Sequence, residues 1–256
     1  MRLMDRPVGC SQAPLPDSQV GGAVLKPTGA SAMKNRKEDR ARGNLNSSTY
    51  DQIRGMILKG SMAPGARIVE SDLAEHLGVS RTPVRSALHR LQQDGYVLAQ
   101  ELGRKVKLFV APLTKEDGKE IYYIVGALDG LGAWHAAHLP ERARLSLSNS
   151  MGRINDTIAE LGRSDQPEHQ RLFQLHGEFH DLVIDAVDAP RLKVLTAATR
   201  PQADRYRRIY SSGDFGQQIR SFNEHNGIIE AVAAGKAEEA MCRTQEHWMA
   251  AADRLC

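Results

Sequence analysis

The sequence predicts a mainly α-helical protein of two domains: an N-terminal winged helix-turn-helix with a small β-hairpin wing, and a C-terminal antiparallel all-α bundle. The 256 residues are enough for two modest domains. Helically spaced apolar residues and one pair of short alternating segments characterise residues 45–111. Residues 112–256 show helical patterns without strand-like alternation.

Residues 1–44 differ in composition from both domains. They contain four prolines, several Gly and Ser residues, and the charged run KNRKEDRARG, without a sustained apolar period. Such a segment cannot bury enough apolar surface to offset the entropy of ordering. We expect a disordered extension and assign no site residues to it.

Charge and composition indicate which kinds of binding partner this protein has. Residues 1–110 hold 17 Lys and Arg against 10 Asp and Glu, whereas the remainder holds 17 against 21. A basic front half indicates contact with a polyanion. No apolar run approaches the ~20 residues of a membrane span, the three cysteines form no CxxC pair, and the N-terminus lacks a signal-peptide pattern. We therefore expect a cytoplasmic protein with no membrane partner.

The first two helices predicted within residues 45–111 are short. Tyr50, Ile53 and Ile57 recur at helical spacing before the segment KGSMAPGAR ends that helix. Ser71 is predicted to be the N-cap of the second helix, with acidic residues in the first turn. Gly78 is predicted to end it.

The segment GVSRTPVRSALHRLQQDGYV predicts the third helix. Ser80 is its expected N-cap, Pro83 is tolerated in the first turn, and Gly95 is the expected terminator. One face of this helix is apolar and consists of Val84, Leu88 and Leu91. Another face is polar and consists of Arg81, Thr82, Arg85 and His89.

Two short strands, YVLAQ and KVKLFV, are predicted after Gly95, with ELGR as the turn between them. In the second strand, Val106, Leu108 and Val110 alternate. This element order is that of a winged helix-turn-helix.

The polar face of the third helix suits double-stranded DNA. Arginine forks can read guanine edges in the major groove, hydroxyls can bind phosphates or bases, and the N-terminal amides can bind a phosphate. Ser80, Arg81, Thr82 and Arg85 supply such a set. Gly103 and Arg104, at the hairpin tip, are expected to approach the DNA backbone or minor groove. A solvated polar face or a protein-interaction module is the alternative interpretation.

Six helices are predicted in the second domain, punctuated by prolines and Gly235, near residues 114–139, 141–162, 168–187, 190–211, 217–234 and 236–254. Thr114 and Asp117 have the spacing of a capping box at the start of the first. Such a bundle places side chains from facing helices in a shared central site.

Four histidines are predicted to converge in that bundle. His176 and His180 lie four residues apart, on one helical face, where both imidazoles can reach one metal ion. His225 precedes Gly235 by ten residues and His247 follows it by twelve, which corresponds to roughly 15 and 18 Å along two antiparallel helices. The sequence therefore predicts a metal site of these four histidines, with metal-free helix packing as the alternative.

The stretch PGARIVESDLAEHLGVSRTPVRSALHRLQQDGYV resembles the N-terminal domain of GntR-family bacterial transcription regulators, over about residues 48–110. In that family, the residues that match Ser80, Arg81, Thr82 and Arg85, with the glycine of the wing, contact operator DNA. Many relatives carry a DNA-binding Arg where this chain has Ser71.

The second half resembles the FCD ligand-binding domain of the FadR subfamily, through the stretches FHDLVIDAVDAPRL, EHNGIIEAVAAGKAEEAM and EHW. Many members bind a divalent metal through one Asp and three His. The resemblance places the three family histidines at His180, His225 and His247, and the Asp at His176. An all-imidazole set suits Zn²⁺, Ni²⁺ or Cu²⁺ better than Mn²⁺ or Ca²⁺. Val125 replaces a frequent Arg, and Asp129 a Glu.

The resemblance implies a homodimeric transcription regulator, expected in the bacterial cytoplasm at the nucleoid, with a metal-bound small carboxylate as effector. Zn²⁺ is the expected metal and Ni²⁺ the alternative. Repression relieved by the effector is the commoner family behaviour, and activation is the alternative. A metal-responsive regulator without an organic effector is a second alternative. A metal-dependent enzyme that uses the four histidines is the remaining alternative. It is not expected, because catalysis would also need a poised acid or base, and Glu178 of HGEFH is not next to the first histidine, as HExxH requires.

Overall fold

The computed structural model describes residues 47–103, 105–163, 168–210 and 215–255. The predicted disordered extension, residues 1–44, lies outside the described residues. The elements of the first half are α1 (47–58), β1 (Arg67–Ile68), α2 (Glu70–Leu77), α3 (Arg81–Gln93), β2 (Val97–Leu102) and β3 (Lys105–Val110). The three strands form an antiparallel sheet of order β1-β3-β2. The predicted winged helix-turn-helix is confirmed, and β1 is an addition to it.

The N-cap predicted for α2 is wrong. The helix begins at Glu70 and its N-cap is Val69, which makes no side-chain capping bond. Ser71 lies inside the first turn, where its hydroxyl donates to the Asp72 carboxylate at 2.9 Å. Glu70 and Asp72 place negative charge where the helix dipole favours it. The predicted end is confirmed, because Gly78 caps α2 in the left-handed conformation.

The turn of the wing is shorter than predicted. Glu101 pairs with Val106 and Leu102 with Lys105, so the strands extend into the segment that the sequence indicated as a four-residue turn. Gly103 has a φ of 66°, which a glycine adopts without strain. The connection is therefore a two-residue turn, as right-handed strand twist favours.

The apolar face predicted for α3 is the centre of the first core. Val84, Leu88 and Leu91 are almost completely buried, and they pack in one cluster with Ile53 and Tyr96. In β3, by contrast, the apolar alternation continues beyond the part of the strand that packs on the core. Val110 is buried, whereas Val106, near the turn, is 64% exposed. The core fixes α3 while its polar face stays in solvent.

Six helices form the antiparallel bundle: α4 (Lys115–Ala137), α5 (Glu141–Gly162), α6 (His169–Ala186), α7 (Pro190–Tyr210), α8 (Phe215–Ala233) and α9 (Ala237–Asp253). All six sequence predictions are confirmed to within two residues. Thr114 caps α4 by accepting the backbone N–H of Asp117 at 3.2 Å. Within the described residues, no helix is both long and apolar enough to cross a membrane.

The helix α4 lies at the centre of the bundle and packs closely on α9 and α6. A Cβ at Gly126 would lie 2.8 Å from the Trp248 side chain, and one at Gly132 would lie 2.5 Å from Ile184. Neither distance is tolerable for a real side chain. The glycines of α4 therefore set the spacing at which α6 and α9 can both contribute to a central site.

Candidate metal centre and DNA-binding surface

The N-terminal turn of α3 presents the four residues predicted to bind DNA. Ser80 occupies the N-cap position, as predicted, but its side chain makes no capping bond. Arg81, Thr82 and Arg85 are exposed. Their side chains, with the helix N-terminus, form a polar edge that can enter a major groove.

Arg85 is held by a neighbour in α2. Its Nε and Nη2 donate to Glu70 Oε2 at 3.1 and 3.0 Å, while its side chain remains 72% exposed. The carboxylate, at the first residue of α2, holds the guanidinium in place. Gly103 is exposed at the end of the wing, and Arg104 lies outside the described residues.

All four predicted histidines meet between α6, α8 and α9. One ring nitrogen from each of His176, His180, His225 and His247 lies within 4.8 Å of the others. We call these four residues the histidine cluster. His225 and His247 are 0 and 1% exposed, and His180 is 3% exposed. His176 is less buried than these three.

Acceptor groups outside the cluster hold three of the imidazoles. His225 Nδ1 donates to Asn155 Oδ1 at 3.0 Å, and His247 Nδ1 donates to Glu224 Oε2 at 2.7 Å. His180 Nδ1 lies 3.4 Å from Asp129 Oδ2. Because Nδ1 donates in His225 and His247, the lone pair of each of these two rings is on Nε2; the carboxylate beside Nδ1 of His180 favours the same tautomer there. Such outer partners are the usual way in which proteins orient metal-binding histidines.

The inward nitrogens of the same three rings are unsatisfied. Nε2 of His180, of His225 and of His247 are each buried, without a hydrogen-bond partner among the residues that the structure describes. Buried polar atoms are rarely left so. Three lone pairs that point into one small volume are the donor set of a metal ion such as Zn²⁺.

Burial favours the neutral form of three imidazoles of the cluster. Desolvation lowers the pKa of His176, His180 and His225 well below the ordinary value, and nearby positive charge lowers it further. For His176, the largest of these charges is the guanidinium of Arg207. The neutral form is the one that binds metals.

Residues that sequence reasoning missed complete the surroundings of the cluster. Arg200 of α7 donates to Asp129 and to Asp181, and so balances the carboxylate beside His180. Burial raises the pKa of Asp129, and Arg200 opposes that rise. No sequence pattern indicated Asn155 and Glu224, because the histidines that they bind lie 70 and 23 residues away in the chain.

Comparison with known proteins agrees with both halves of the fold. The family of bacterial regulatory proteins named gntR matches residues 45–103, and the FCD domain matches residues 120–250. The chain belongs to the GntR family, with an FCD domain. It is a DNA-binding transcriptional regulator, so the prediction that it is not an enzyme is confirmed by the family.

Relatives of this GntR regulator have the same description. The chain is 27% identical over 199 residues to the HTH-type transcriptional regulator YdhC of Bacillus subtilis, covering 78% of this chain and 85% of that one. A regulator from an unstable DNA locus of Streptomyces ambofaciens is 28% identical over 206 residues, with 80% and 83% covered. The solved structure of E. coli McbR/YncC has a TM-score of 0.59 at 18% identity, over 82% of this chain and 96% of that one. This last likeness concerns the fold alone.

Proposed function

We propose that this regulator is a homodimeric repressor, active in the bacterial cytoplasm, that holds a divalent metal ion in the histidine cluster and leaves its operator when a small carboxylate effector binds there. The observation that carries the proposal is the convergence of three buried, unpartnered Nε2 atoms. An empty polar cavity of this kind would be costly, whereas a metal ion satisfies all three lone pairs.

The donor set favours Zn²⁺, with Ni²⁺ as the second choice. Imidazole nitrogens suit borderline metals, and hard ions such as Mn²⁺ prefer oxygen. His180, His225 and His247 would hold the ion, with His176 as a fourth ligand. When bound, the ion would supply a Lewis acid that attracts an anionic oxygen.

Operator recognition is assigned to the N-terminal edge of α3. Arg81 and Arg85 are proposed to read base edges in the major groove, and Ser80 and Thr82 to bind phosphates or bases. Since Glu70 holds Arg85, this arginine reaches DNA in a preset orientation. Gly103 and Arg104 of the wing are proposed to bind the backbone or the minor groove.

A homodimer agrees with exposed apolar side chains on the neighbouring helices α4 and α7. The exposed fractions range from 42 to 69%, for Tyr123, Ile124, Leu131, Val194 and Leu195. Large apolar side chains that share a surface mark an interaction site more often than not. A two-fold dimer would present two recognition helices to an inverted repeat.

The helix α7 is proposed to transmit the effector signal, since it contacts both the DNA-binding half and the surroundings of the cluster. Gln202 Nε2 donates to the carbonyl of Asp94, the C-cap of α3, at 3.1 Å. Arg205 Nη2 donates to the Ala111 carbonyl at 2.7 Å. Two residues before Gln202, Arg200 binds the carboxylate beside His180.

Replacing Gln202 by alanine is expected to weaken this transmission. The change removes one bond to the end of α3 but no residue of the cluster or the DNA-binding edge. We expect operator affinity without effector to change little, and the factor by which the effector lowers it to fall several-fold, from a typical coupling of roughly 5- to 150-fold. Fluorescence anisotropy with labelled operator, with and without effector, measures both quantities.

Lys193→Ala is the control for Gln202→Ala. Lys193 is also on α7, but its Nζ donates to the backbone carbonyl of Asp185 within the bundle. Its coupling factor is expected to equal that of the wild type. If Gln202→Ala retained full coupling, transmission through this contact would be refuted.

The proposed function has a direct test. Purified full-length protein is analysed for metal, and its affinity for the DNA upstream of its own gene is measured over a range of salt concentrations. Small carboxylates are then screened by thermal shift, and those that stabilise the protein are tested for release of DNA. We expect one metal ion per chain, salt-sensitive specific binding, and release by a stabilising carboxylate. DNA affinity that followed metal concentration alone would favour the metal-responsive alternative, and protein that bound no metal would refute the metal centre.

A further inference from the structure

Arg207 of α7 lies beside the histidine cluster. Its Nη2 donates to the backbone carbonyl of Phe173 in α6 at 3.0 Å, and its guanidinium carbon lies 3.8 Å from the centroid of the Phe173 ring. A Cβ placed on Gly177 would lie 3.9 Å from the same Nη2. The guanidinium therefore crosses the turn of α6 that carries His176.

One donor of this guanidinium has no acceptor. The Arg207 side chain is 12% exposed, and its Nε is buried without a hydrogen-bond partner in the described part of the chain. Nη2 donates to Asp204 at 2.9 Å as well as to Phe173, whereas Nε has no such acceptor. A buried donor on a charged group is costly unless an acceptor, above all an anionic one, is present.

The other arginines near the cluster are neutralised by carboxylates. Arg200 donates to both Asp129 and Asp181, although its own Nε is also unpaired. Arg254 donates to Glu224 at 3.1 Å. Asp204, the one carboxylate that Arg207 contacts within the described residues, is 30% exposed. Arg207 is therefore paired, within the described residues, with one partly exposed carboxylate, and its Nε remains available to donate to a further acceptor.

An ion held by four imidazoles, none of which carries a negative charge, would also lack an anionic ligand. One anionic group can meet both needs, because His176 belongs to the cluster and the Arg207 guanidinium lies beside Gly177, the next residue of α6. A carboxylate is the simplest group that coordinates a metal ion and accepts from a guanidinium.

We propose that Arg207 is the anion-recognition residue of the effector site: a carboxylate oxygen of the effector accepts from Arg207 Nε while the effector coordinates the metal ion. This inference rests on the proposed function, because it requires a metal ion in the histidine cluster. It adds the direction from which the effector enters the coordination sphere, namely the side formed by α6 and α7. It also names the side chain that selects an anion over a neutral ligand.

The test uses the full chain loaded with Co²⁺, whose visible absorption reports changes in its ligands. Acetate, succinate and citrate are titrated into the wild type and into the Arg207→Gln and Arg208→Gln variants. Arg208 is the matched control, since it lies 4.2 Å from the same Phe173 ring but is exposed. We expect equal Co²⁺ content in all three proteins and at least a tenfold higher Kd for the responding anion in Arg207→Gln alone.

Arg207→Lys provides a second measurement if the glutamine variant does not fold, because it keeps the charge but loses the Nε donor. Its Kd is expected to rise less than that of Arg207→Gln and more than that of Arg208→Gln. Wild-type affinity in both Arg207 variants, or a Co²⁺ spectrum of the wild type that no probe changes, would overturn the role of Arg207. Failure of the chain to take up Co²⁺ would instead overturn the proposed metal centre, and the loading step shows this before any anion is added.

Discussion

Replacing both Arg81 and Arg85 by alanine is expected to lower specific operator affinity by at least about 100-fold. Each arginine that reads a base edge contributes roughly tenfold to a hundredfold to discrimination. Both side chains are exposed, and neither belongs to the core around Val84 and Leu88. The double variant should therefore fold normally, and the loss should be confined to DNA binding.

Anisotropy titration with specific and scrambled duplexes separates the two contributions to this loss. Base reading predicts that affinity for the specific duplex falls towards that for the scrambled one, whereas a pure phosphate role predicts a uniform loss and a smaller salt slope. Arg153→Ala is the control for loss of an exposed arginine outside the DNA-binding edge, because Arg153 is an exposed arginine of α5 that donates to Ser150 in the bundle. Unchanged operator affinity in the double variant would exclude α3 as the recognition helix.

Replacing His180 by alanine is expected to lower metal affinity by more than about 100-fold, since loss of an outer partner alone costs 10- to 100-fold. The ring is 3% exposed and points an unpartnered Nε2 into the cluster. At a metal concentration of 100 times Kd, wild-type protein should gain about 2.7 kcal/mol of stability, or a rise in Tm of about 5–10 °C. The variant should show no such rise.

Elemental analysis and thermal unfolding with and without Zn²⁺ measure both effects. His169→Ala is the control, because His169 begins the same helix and is exposed; it should bind metal as the wild type does. We expect a smaller loss for His176→Ala, because His176 is less buried and its nitrogens are not among the buried unpartnered atoms of the described chain. Retention of metal by His180→Ala would remove the basis of the proposed centre.

The elements of the fold could be predicted because their signals are local. Helix ends follow from caps such as Thr114 and Gly78, which act within one turn. The two-residue strand β1 is too short to show a period, and its partner Phe109 is about forty residues away. The position of Ser71 misled the prediction, because residues that favour N-caps are also accepted in the first turn.

The site could be predicted in part. Similar distances from the turn at Gly235 place His225 and His247 at nearly the same level, and this needs no knowledge of how the helices are rotated. Finding Asn155, Glu224 and Arg207 does require those rotations, since each meets the cluster or its ligands across a helix interface. Long-range packing decides such contacts, and no spacing in the sequence encodes it.

The deep burial of His225 and His247 affects how fast a bound metal ion can exchange. With 0 and 1% exposure, these two ligands would release an ion only through a local opening of the packed interior, and such openings are rare events. The ion would then persist through many cycles of operator binding and release. An anion that arrives beside Arg207, at the less buried side of the cluster, could exchange much faster. The metal ion would thus stay bound for a long time and the anionic effector for a short time. The exchange rate of the effector would set the response time of the regulator.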